Sequence, residues 1–184
     1  MHLQMNTQYL PAKTNFPDID MDNTSDAKCK YEILLRSQLT QNMSEQQRDK
    51  MAEVIQIRHL KNKEILLEEG KRDGNLYVVV EGTLMVTKNN NSNEEVLAML
   101  HADSIAGAMG FVDGLEHSAS IHSLGASTIF TIERNRLEAL LISNPDIVYH
   151  VMQTIIRTAH SIVKTMNNQH IQLTNYVSKI NGRY

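Results

Sequence analysis

The sequence predicts a mainly β protein with additional helices: an antiparallel β jelly roll with N-terminal helices, one short internal helix and a long C-terminal helix. Three observations predict this fold. Short β-rich runs follow one another after Gln56, and several end in glycine or in turn residues. Only one stretch inside that series, residues 106–119, has the character of a short helix and a turn. Residues 144–184 carry an apolar heptad pattern.

Residues 1–27 are predicted to form a flexible N-terminal arm. They are polar, contain Pro11, Pro17 and several Asp residues, and show no apolar period. A disordered leader and a partner-binding tail both fit this composition.

Two helices are expected after the arm. Apolar residues recur through residues 28–39, which favours a first helix. Ser44 begins a second, because Ser44-Glu45-Gln46-Gln47 has the form of a capping box, with serine at the cap and glutamine three residues later. One side of this second helix is apolar: Met51, Ala52, Val54 and Ile55.

The β-rich runs predict strands with short, turn-rich connections, as in a sandwich or jelly roll. They are expected at residues 64–70, 76–82, 83–87, 95–100, 119–123 and 127–132. The Asn-rich cluster at residues 89–93 predicts a turn between two of them. With the preceding helices, the roll is expected to span residues 28–143.

Composition limits the function classes. The chain has 184 residues, a formal net charge of −3 and one cysteine, Cys29. It contains no run of 18 apolar residues that would predict a membrane span and no signal-peptide pattern. A lone cysteine provides neither a disulfide framework nor a metal cluster, and a mildly acidic chain without a Lys/Arg stripe is not expected to bind DNA directly. We therefore expect a cytoplasmic protein with no membrane contact.

Residues 106–119 read Ala-Gly-Ala-Met-Gly-Phe-Val-Asp-Gly-Leu-Glu-His-Ser-Ala. This stretch resembles the phosphate-binding cassette of the cyclic nucleotide-binding domain family, which includes the catabolite activator and the regulatory subunits of cyclic-AMP-dependent kinase. In that family the pattern is Phe-Gly-Glu-Leu-Ala-Leu-Leu-x-Gly-x-x-Arg-Ser-Ala. Residues 65–82 and 137–146 resemble two further family motifs in the right order, with Lys71 where the family has Asp. The resemblance covers about residues 34–166.

The resemblance implies which residues would hold a phosphate: the backbone at the start of the cassette helix, the arginine, and the small residues after it. The candidate ligand-binding residues are therefore Gly107, Ala108, Met109, His117, Ser118 and Ala119. Aligned without a gap, the family's Glu falls on Ala108 and its Arg on His117. Losing a buried charge-assisted contact costs on the order of 2–5 kcal/mol, which is about 30-fold to several thousand-fold in affinity. Ala108 cannot accept a hydrogen bond from a ribose hydroxyl, which removes roughly 1–2 kcal/mol more.

The base-facing side is also changed. Counted from Asn144, the base-facing hydroxyl pair of the catabolite activator falls on Ile162 and Val163, which are apolar. A shift by one residue would restore a hydroxyl, so the base-side candidates are Thr158, Ser161, Ile162 and Val163. Tight cyclic-AMP binding is not expected. Weak, pH-dependent binding through His117 and a different ligand are the alternatives.

Residues 144–184 are expected to form one long dimerisation helix. Apolar residues at alternating steps of four and three form a heptad seam: Val148, Met152, Ile155, Ala159, Ile162, Met166, Gln169, Leu173, Tyr176 and Ile180. The helix would be roughly 55 Å long, and the resemblance implies dimerisation, because relatives dimerise through the equivalent helix. Ile155 and Ile162 are expected in the middle of the contact, and residues 167–170 are the expected weak spot. A helix packed wholly on its own roll is the alternative.

We find no nucleophile elbow, P-loop or zinc spacing, and we expect no catalytic activity and no metal. A cupin-like metalloenzyme is disfavoured, because the histidines include no His-x-His pair followed by Glu. The first function hypothesis is a non-enzymatic regulatory and protein-interaction module, a homodimer that acts through an unidentified partner protein and has no cofactor. The second is a genuine cyclic nucleotide sensor that signals through its C-terminal helix. Since the sequence ends at Tyr184, no winged helix-turn-helix is expected after the roll.

Overall fold

The N-terminal part of the protein is helical. The computed structural model describes residues 23–90 and 93–181. Helix α1 spans Asn23–Arg36, a 3-10 turn spans Gln38–Thr40, and α2 spans Glu45–Val54. The capping box predicted for α2 is confirmed, because Ser44 Oγ accepts from Gln47 N at 3.3 Å while Gln47 Oε1 accepts from Ser44 N at 2.8 Å.

Helix α1 begins at Asn23 rather than at the predicted Lys28, so it includes the end of the predicted arm. Its first turns lack the apolar period on which the prediction relied. Asp26 lies in the first turn and pairs with Lys30 at 2.7 Å, one helical turn later, and both interactions favour a helix. The rest of the arm, residues 1–22, lies outside the described residues.

Two antiparallel four-stranded sheets follow in the described part of the chain, which confirms the predicted jelly roll with additional helices. The strands are β1 Ile55–Leu60, β2 Ile65–Leu67, β3 Asn75–Glu81, β4 Leu84–Asn90, β5 Asn93–Leu100, β6 Ile105–Ala106, β7 Ser120–Ser123 and β8 Ser127–Glu133. The order is β1-β8-β3-β6 in one sheet and β2-β7-β4-β5 in the other. The short internal helix, α3, spans Ala108–Asp113, and α4 spans Arg134–Glu138.

The assignment of Ile55 to the second helix is wrong. Ile55 is fully buried at the start of β1, a strand that the sequence analysis missed. β1 pairs with β8 in register from Ile55↔Ile132 to Leu60↔Ser127. This long-range pairing determines the conformation of a segment whose local pattern continues that of the preceding helix.

Both faces of β3 are buried. Leu76 and Val78 pack into a cluster with the helices, while Tyr77 and Val79 pack between the two sheets. Alternate residues of a strand point to opposite faces, so β3 lies between a helical layer and the second sheet. The expected position of Tyr77 in the roll interior is confirmed.

The long C-terminal helix, α5, spans Pro145–Asn181 and is continuous through residues 167–170. Its first turns cover the roll, because Ile147, Val151 and Ile155 are buried in the cluster shared with α1, α2 and β3. From residue 160 to residue 178 every side chain is exposed. Within the described residues, no helix has the length and apolarity needed to cross a membrane.

The expectation that Ile155 lies in the middle of a dimer contact is wrong. Only 3% of its surface is exposed, and it belongs to the domain's own core. Val148 and Met152 also pack partly against that core. Heptad spacing identifies an apolar stripe but not the surface that covers it, so the first part of the predicted seam has an intramolecular role.

The substitution Ile155→Ala should lower the free energy of unfolding by about 2–4 kcal/mol, because it removes buried methyl groups and leaves a cavity. Ile142→Ala is the matched control, since Ile142 is 97% exposed and should change stability by less than about 0.5 kcal/mol. Urea unfolding followed by circular dichroism measures both. Equal effects of the two substitutions would contradict the assignment of Ile155 to the core.

Candidate functional site

The second residue of the cassette (residues 106–119) is Gly107, which no other residue can replace without strain. Gly107 caps α3 with φ +75°. A Cβ at this position would lie 2.7 Å from Asn75 O and 3.2 Å from Tyr77 Cδ2, so the chain needs glycine for both conformation and space. The first intrahelical bond runs from Phe111 N to Gly107 O at 2.9 Å. The N–H groups of the first helical residues, which include Ala108 and Met109, therefore have no acceptor within α3.

His117 is packed against the cassette helix. Only 6% of its side chain is exposed. Its backbone is fixed on both sides, since His117 N donates to Lys71 O at 2.8 Å and His117 O accepts from Gly70 N at 2.9 Å. A Cβ on Gly110 would lie 3.1 Å from His117 Cε1. The imidazole is thus held inside the site, whereas the following Ser118 is exposed and Ala119 is half-buried.

A carboxylate lies beside this histidine. His117 Nε2 is 3.3 Å from Asp73 Oδ1, but the two groups are not aligned as a hydrogen bond. The buried nitrogen therefore has no hydrogen-bond partner among the described residues. Asp73 is held in place, because Oδ1 accepts from Asn75 N at 3.1 Å and Oδ2 accepts from the Tyr77 hydroxyl at 2.8 Å.

Tyr77 keeps its proton in this arrangement. Burial raises the pKa of Tyr77 to about 12, and the hydrogen bond to Asp73 acts in the same direction. The hydroxyl is therefore neutral near pH 7 and donates to the carboxylate, while Asn75 Nδ2 donates to the tyrosine oxygen at 3.2 Å. The network holds the Asp73 carboxylate in position near His117.

Arg134 secures the other end of the cassette helix. Its Nε donates to Phe111 O at 2.6 Å and its Nη2 donates to Gly110 O at 2.9 Å. Its backbone N donates to Gly74 O at 2.8 Å. A cation at the carbonyl end of a helix satisfies unpaired carbonyls and opposes the negative end of the helix dipole. These two bonds fix the carbonyl end of a six-residue helix whose Phe111 side chain is buried in the core.

The base-side candidates lie elsewhere. Thr158, Ser161 and Ile162 line a cleft of about 430 Å³ between α5, the 3-10 turn and the connection from β5 to β6. The opposite wall includes Gln38, Gln41, Asn42, Asp103 and Ser104. None of the six cassette candidates lines this cleft, and Val163 is exposed. The structure therefore places three of the four base-side candidates in a cleft that the cassette candidates do not line.

Sequence analysis missed Asp73 and Arg134. A signal for Asp73 was present, because an Asp two residues before a strand often accepts from the backbone N–H two residues on. Arg134 gave no signal, since its contacts with residues 110 and 111 depend on how the end of β8 lies against the cassette. Among the described residues, no three histidine, cysteine, aspartate or glutamate side chains are placed to hold a metal ion.

Comparison with known proteins identifies the family. Residues 57–144 match the family model of the cyclic nucleotide-binding domain. These residues form a domain of the cyclic nucleotide-binding family. The matched segment runs from β1 to the residue before α5, and it contains the cassette, Asp73, His117 and Arg134. The family predicted from the cassette and its two flanking motifs is confirmed.

The curated relatives are longer proteins. The cAMP-activated global transcriptional regulator CRP of Salmonella typhimurium is 28% identical over 98 residues, which cover 52% of this chain and 47% of that protein. This chain spans less than half the length of the curated relatives that it matches.

Solved structures share the fold. A cyclic nucleotide-binding domain from Methylobacillus flagellatus has a TM-score of 0.70 at 20% identity, over 79% of this chain and 83% of that one. The regulatory subunit of a cAMP-independent protein kinase A from Trypanosoma brucei has a TM-score of 0.61 at 15% identity, over 73% of this chain and 48% of that one.

The substitution Arg134→Met should lower the free energy of unfolding by about 1–3 kcal/mol, because it leaves Phe111 O without its side-chain donor and removes one of the two donors to Gly110 O, which also accepts from Gly114 N at 3.0 Å. It should also accelerate amide hydrogen exchange in residues 110–114. Arg136→Met is the control, since the Arg136 contact with Glu133 is a surface ion pair at 3.3 Å with a contribution of about 0–1 kcal/mol. Unchanged exchange in the cassette of the Arg134 variant would refute its anchoring role.

Proposed function

We propose that this domain is a non-enzymatic regulatory module whose cassette does not bind cyclic AMP tightly. The observation that carries the proposal is the state of His117: its short side chain is buried against Gly110, with Nε2 only 3.3 Å from the Asp73 carboxylate. The site therefore contains a negative charge beside the histidine that stands at the family's arginine position.

Electrostatics favour this proposal. A phosphate that approached His117 would meet the Asp73 carboxylate at short range, and two anions close together in a partly buried site repel each other. An arginine could extend past such a neighbour and bind a phosphate with two parallel hydrogen bonds, whereas a histidine presents one ring nitrogen on this side. Ala108 removes the acceptor for a ribose hydroxyl as well.

The proposed role is protein interaction. With its ligand contacts weakened, the domain would act through surfaces rather than through catalysis, as a homodimer paired by α5 that engages a partner protein. The Trypanosoma brucei protein with the same fold is named as part of a cAMP-independent kinase, so independence from cyclic AMP has a parallel among proteins with this fold.

A cyclic nucleotide sensor is the second candidate. It is favoured by the parts of the cassette that remain: Gly107 at the helix start, the N–H groups of Ala108 and Met109, which have no acceptor within α3, and the exposed Ser118. In this role, a nucleotide bound at the cassette would act on α5.

Isothermal titration calorimetry with cyclic AMP and cyclic GMP at pH 7.5 separates the two candidates. We expect no binding stronger than about millimolar, given the lost contacts. A dissociation constant of about a micromolar or tighter would overturn the proposal and establish the sensor.

The double variant Ala108→Glu with His117→Arg should gain measurable cyclic-AMP affinity, on the order of 30-fold or more. It restores a ribose acceptor and a cation that can extend beyond Asp73. The control is Val112→Glu with Leu115→Arg, which places the same two charges at exposed cassette positions and should gain nothing. If the first variant folds but also gains nothing, the backbone geometry of the cassette or the apolar Ile162 and Val163 side must limit binding as well.

A further inference from the structure

The cleft between α5 and the roll contains both charged and apolar side chains. Its volume of about 430 Å³ is within the range of small-molecule sites. Helix α5 forms one wall, and the 3-10 turn with the connection from β5 to β6 forms the other. The apolar residues of the lining are Leu100, Ile105 and Ile162.

Asp103 is fixed on the roll side of this cleft. Its backbone N donates to Val79 O at 2.8 Å, and its Oδ1 accepts from Gln38 N at 3.0 Å. Its φ of +66° is in the left-handed region, which aspartate adopts more readily than most residues. Oδ2 accepts no hydrogen bond from another described residue, so this oxygen is free to accept one from a ligand.

Arg157 lies on the α5 side of the cleft. It shares a helix face with Thr154, Thr158 and Ser161, which are three or four residues away from it or from each other. Its guanidinium forms no ion pair or hydrogen bond with another described residue. The cleft therefore contains two opposite charges that do not neutralise each other by direct contact.

Uncharged donors and acceptors line the space near these two charges. Among the described residues, four lining side chains form no hydrogen bond within the protein: Gln38, Gln41, Asn42 and Thr158. Amide and hydroxyl groups can each donate and accept. They are therefore able to bind polar groups of a ligand beside the two charges.

We propose that this cleft binds a zwitterionic small molecule of the α-amino-acid class with an apolar side chain. Arg157 binds the carboxylate, and Asp103 binds the ammonium group. The side chain of the ligand packs against Leu100, Ile105 and Ile162. None of the six cassette candidates lines the cleft, so this inference goes beyond the proposed function.

The two separated charges select this class of ligand. An anion without a positive charge would approach the Asp103 carboxylate, and a cation without a negative charge would approach Arg157. A neutral sugar would leave both charges without an oppositely charged partner. An amino acid satisfies both, and a guanidinium can bind its carboxylate with two parallel hydrogen bonds.

Such a ligand would contact α5 and the roll at the same time. It should therefore stabilise the folded domain, because a molecule that binds only the folded state raises the free energy of unfolding. The midpoint of thermal unfolding should accordingly rise with the concentration of the amino acid.

Nuclear magnetic resonance of the full, ¹⁵N-labelled chain tests the proposal with each of the twenty common amino acids at pH 6.5. We expect L-leucine and similar apolar amino acids to bind with a dissociation constant of about a millimolar or tighter. Their binding should shift the amide signals of residues 103, 104 and 157–162. The proposal is overturned if no amino acid shifts these signals, or if glucose binds there as tightly as leucine.

Two analogues and two substitutions test which charge binds which group. Leucinamide lacks the carboxylate and N-acetyl-L-leucine lacks the ammonium group, so each should bind about tenfold more weakly than leucine or worse. Arg157→Gln should weaken leucine binding by a similar factor and leave leucinamide binding unchanged. Asp103→Asn should weaken leucine binding and leave N-acetyl-L-leucine binding unchanged, while its amide oxygen still accepts from Gln38 N.

Lys164→Gln is the matched control, because Lys164 is an exposed cation of α5 that does not line the cleft. This variant should retain the leucine affinity of the wild-type protein. An equal loss in Lys164→Gln and Arg157→Gln would refute the role of Arg157 in the site. Cyclic-AMP affinity, measured on the same protein, decides the proposed function separately from these outcomes.

Discussion

The site depends on the burial of both faces of β3 and its neighbour β8. Because β3 lies between the helical layer and the second sheet, its position is fixed from two sides. The residues at the start of β3 are therefore fixed as well. Asn75 O and the Tyr77 ring lie against Gly107 and determine where the cassette helix begins. Arg134, directly after β8, determines where that helix ends. A six-residue helix has little stability of its own, so two core strands hold it at both ends.

The same arrangement explains why the backbone of the cassette is kept although the side chains at the family's Glu and Arg positions differ. The Asp73 carboxylate accepts from Asn75 N and from the Tyr77 hydroxyl, so its position is determined by the turn that leads into β3. His117 is fixed by backbone bonds to residues 70 and 71. The hydrogen bonds that fix Asp73 and the backbone of His117 therefore bring the two side chains close together. In the proposed function, the Asp73 carboxylate beside this buried imidazole is what opposes a further anion in the site.

Sequence reasoning succeeded where local pattern and structure agree, as in the capping box at Ser44, the β-rich runs and the length of α5. It failed at Ile55, because pairing with β8 decides the conformation of β1, and at Asn23, because charged residues rather than apolar spacing support the first turns of α1. The cassette candidates could be named from their motif. Asp73 and Arg134 became part of the site only through contacts between segments distant in sequence, which spacing along the chain does not reveal.

Helix α5 shows how one amphipathic element serves two surfaces. Ile147, Val151 and Ile155 close the core. The exposed apolar residues Tyr149, Ile156 and Val163 face away from it, because residues one position apart are about 100° apart around a helix. The two faces meet at Met152, which packs partly against the core and also belongs to the heptad seam predicted from the sequence. Any change in the seating of α5 on the roll would therefore displace the first part of the seam. In the homodimer of the proposed function, the helix that covers the domain is thus the physical route by which the roll and the paired copy influence each other.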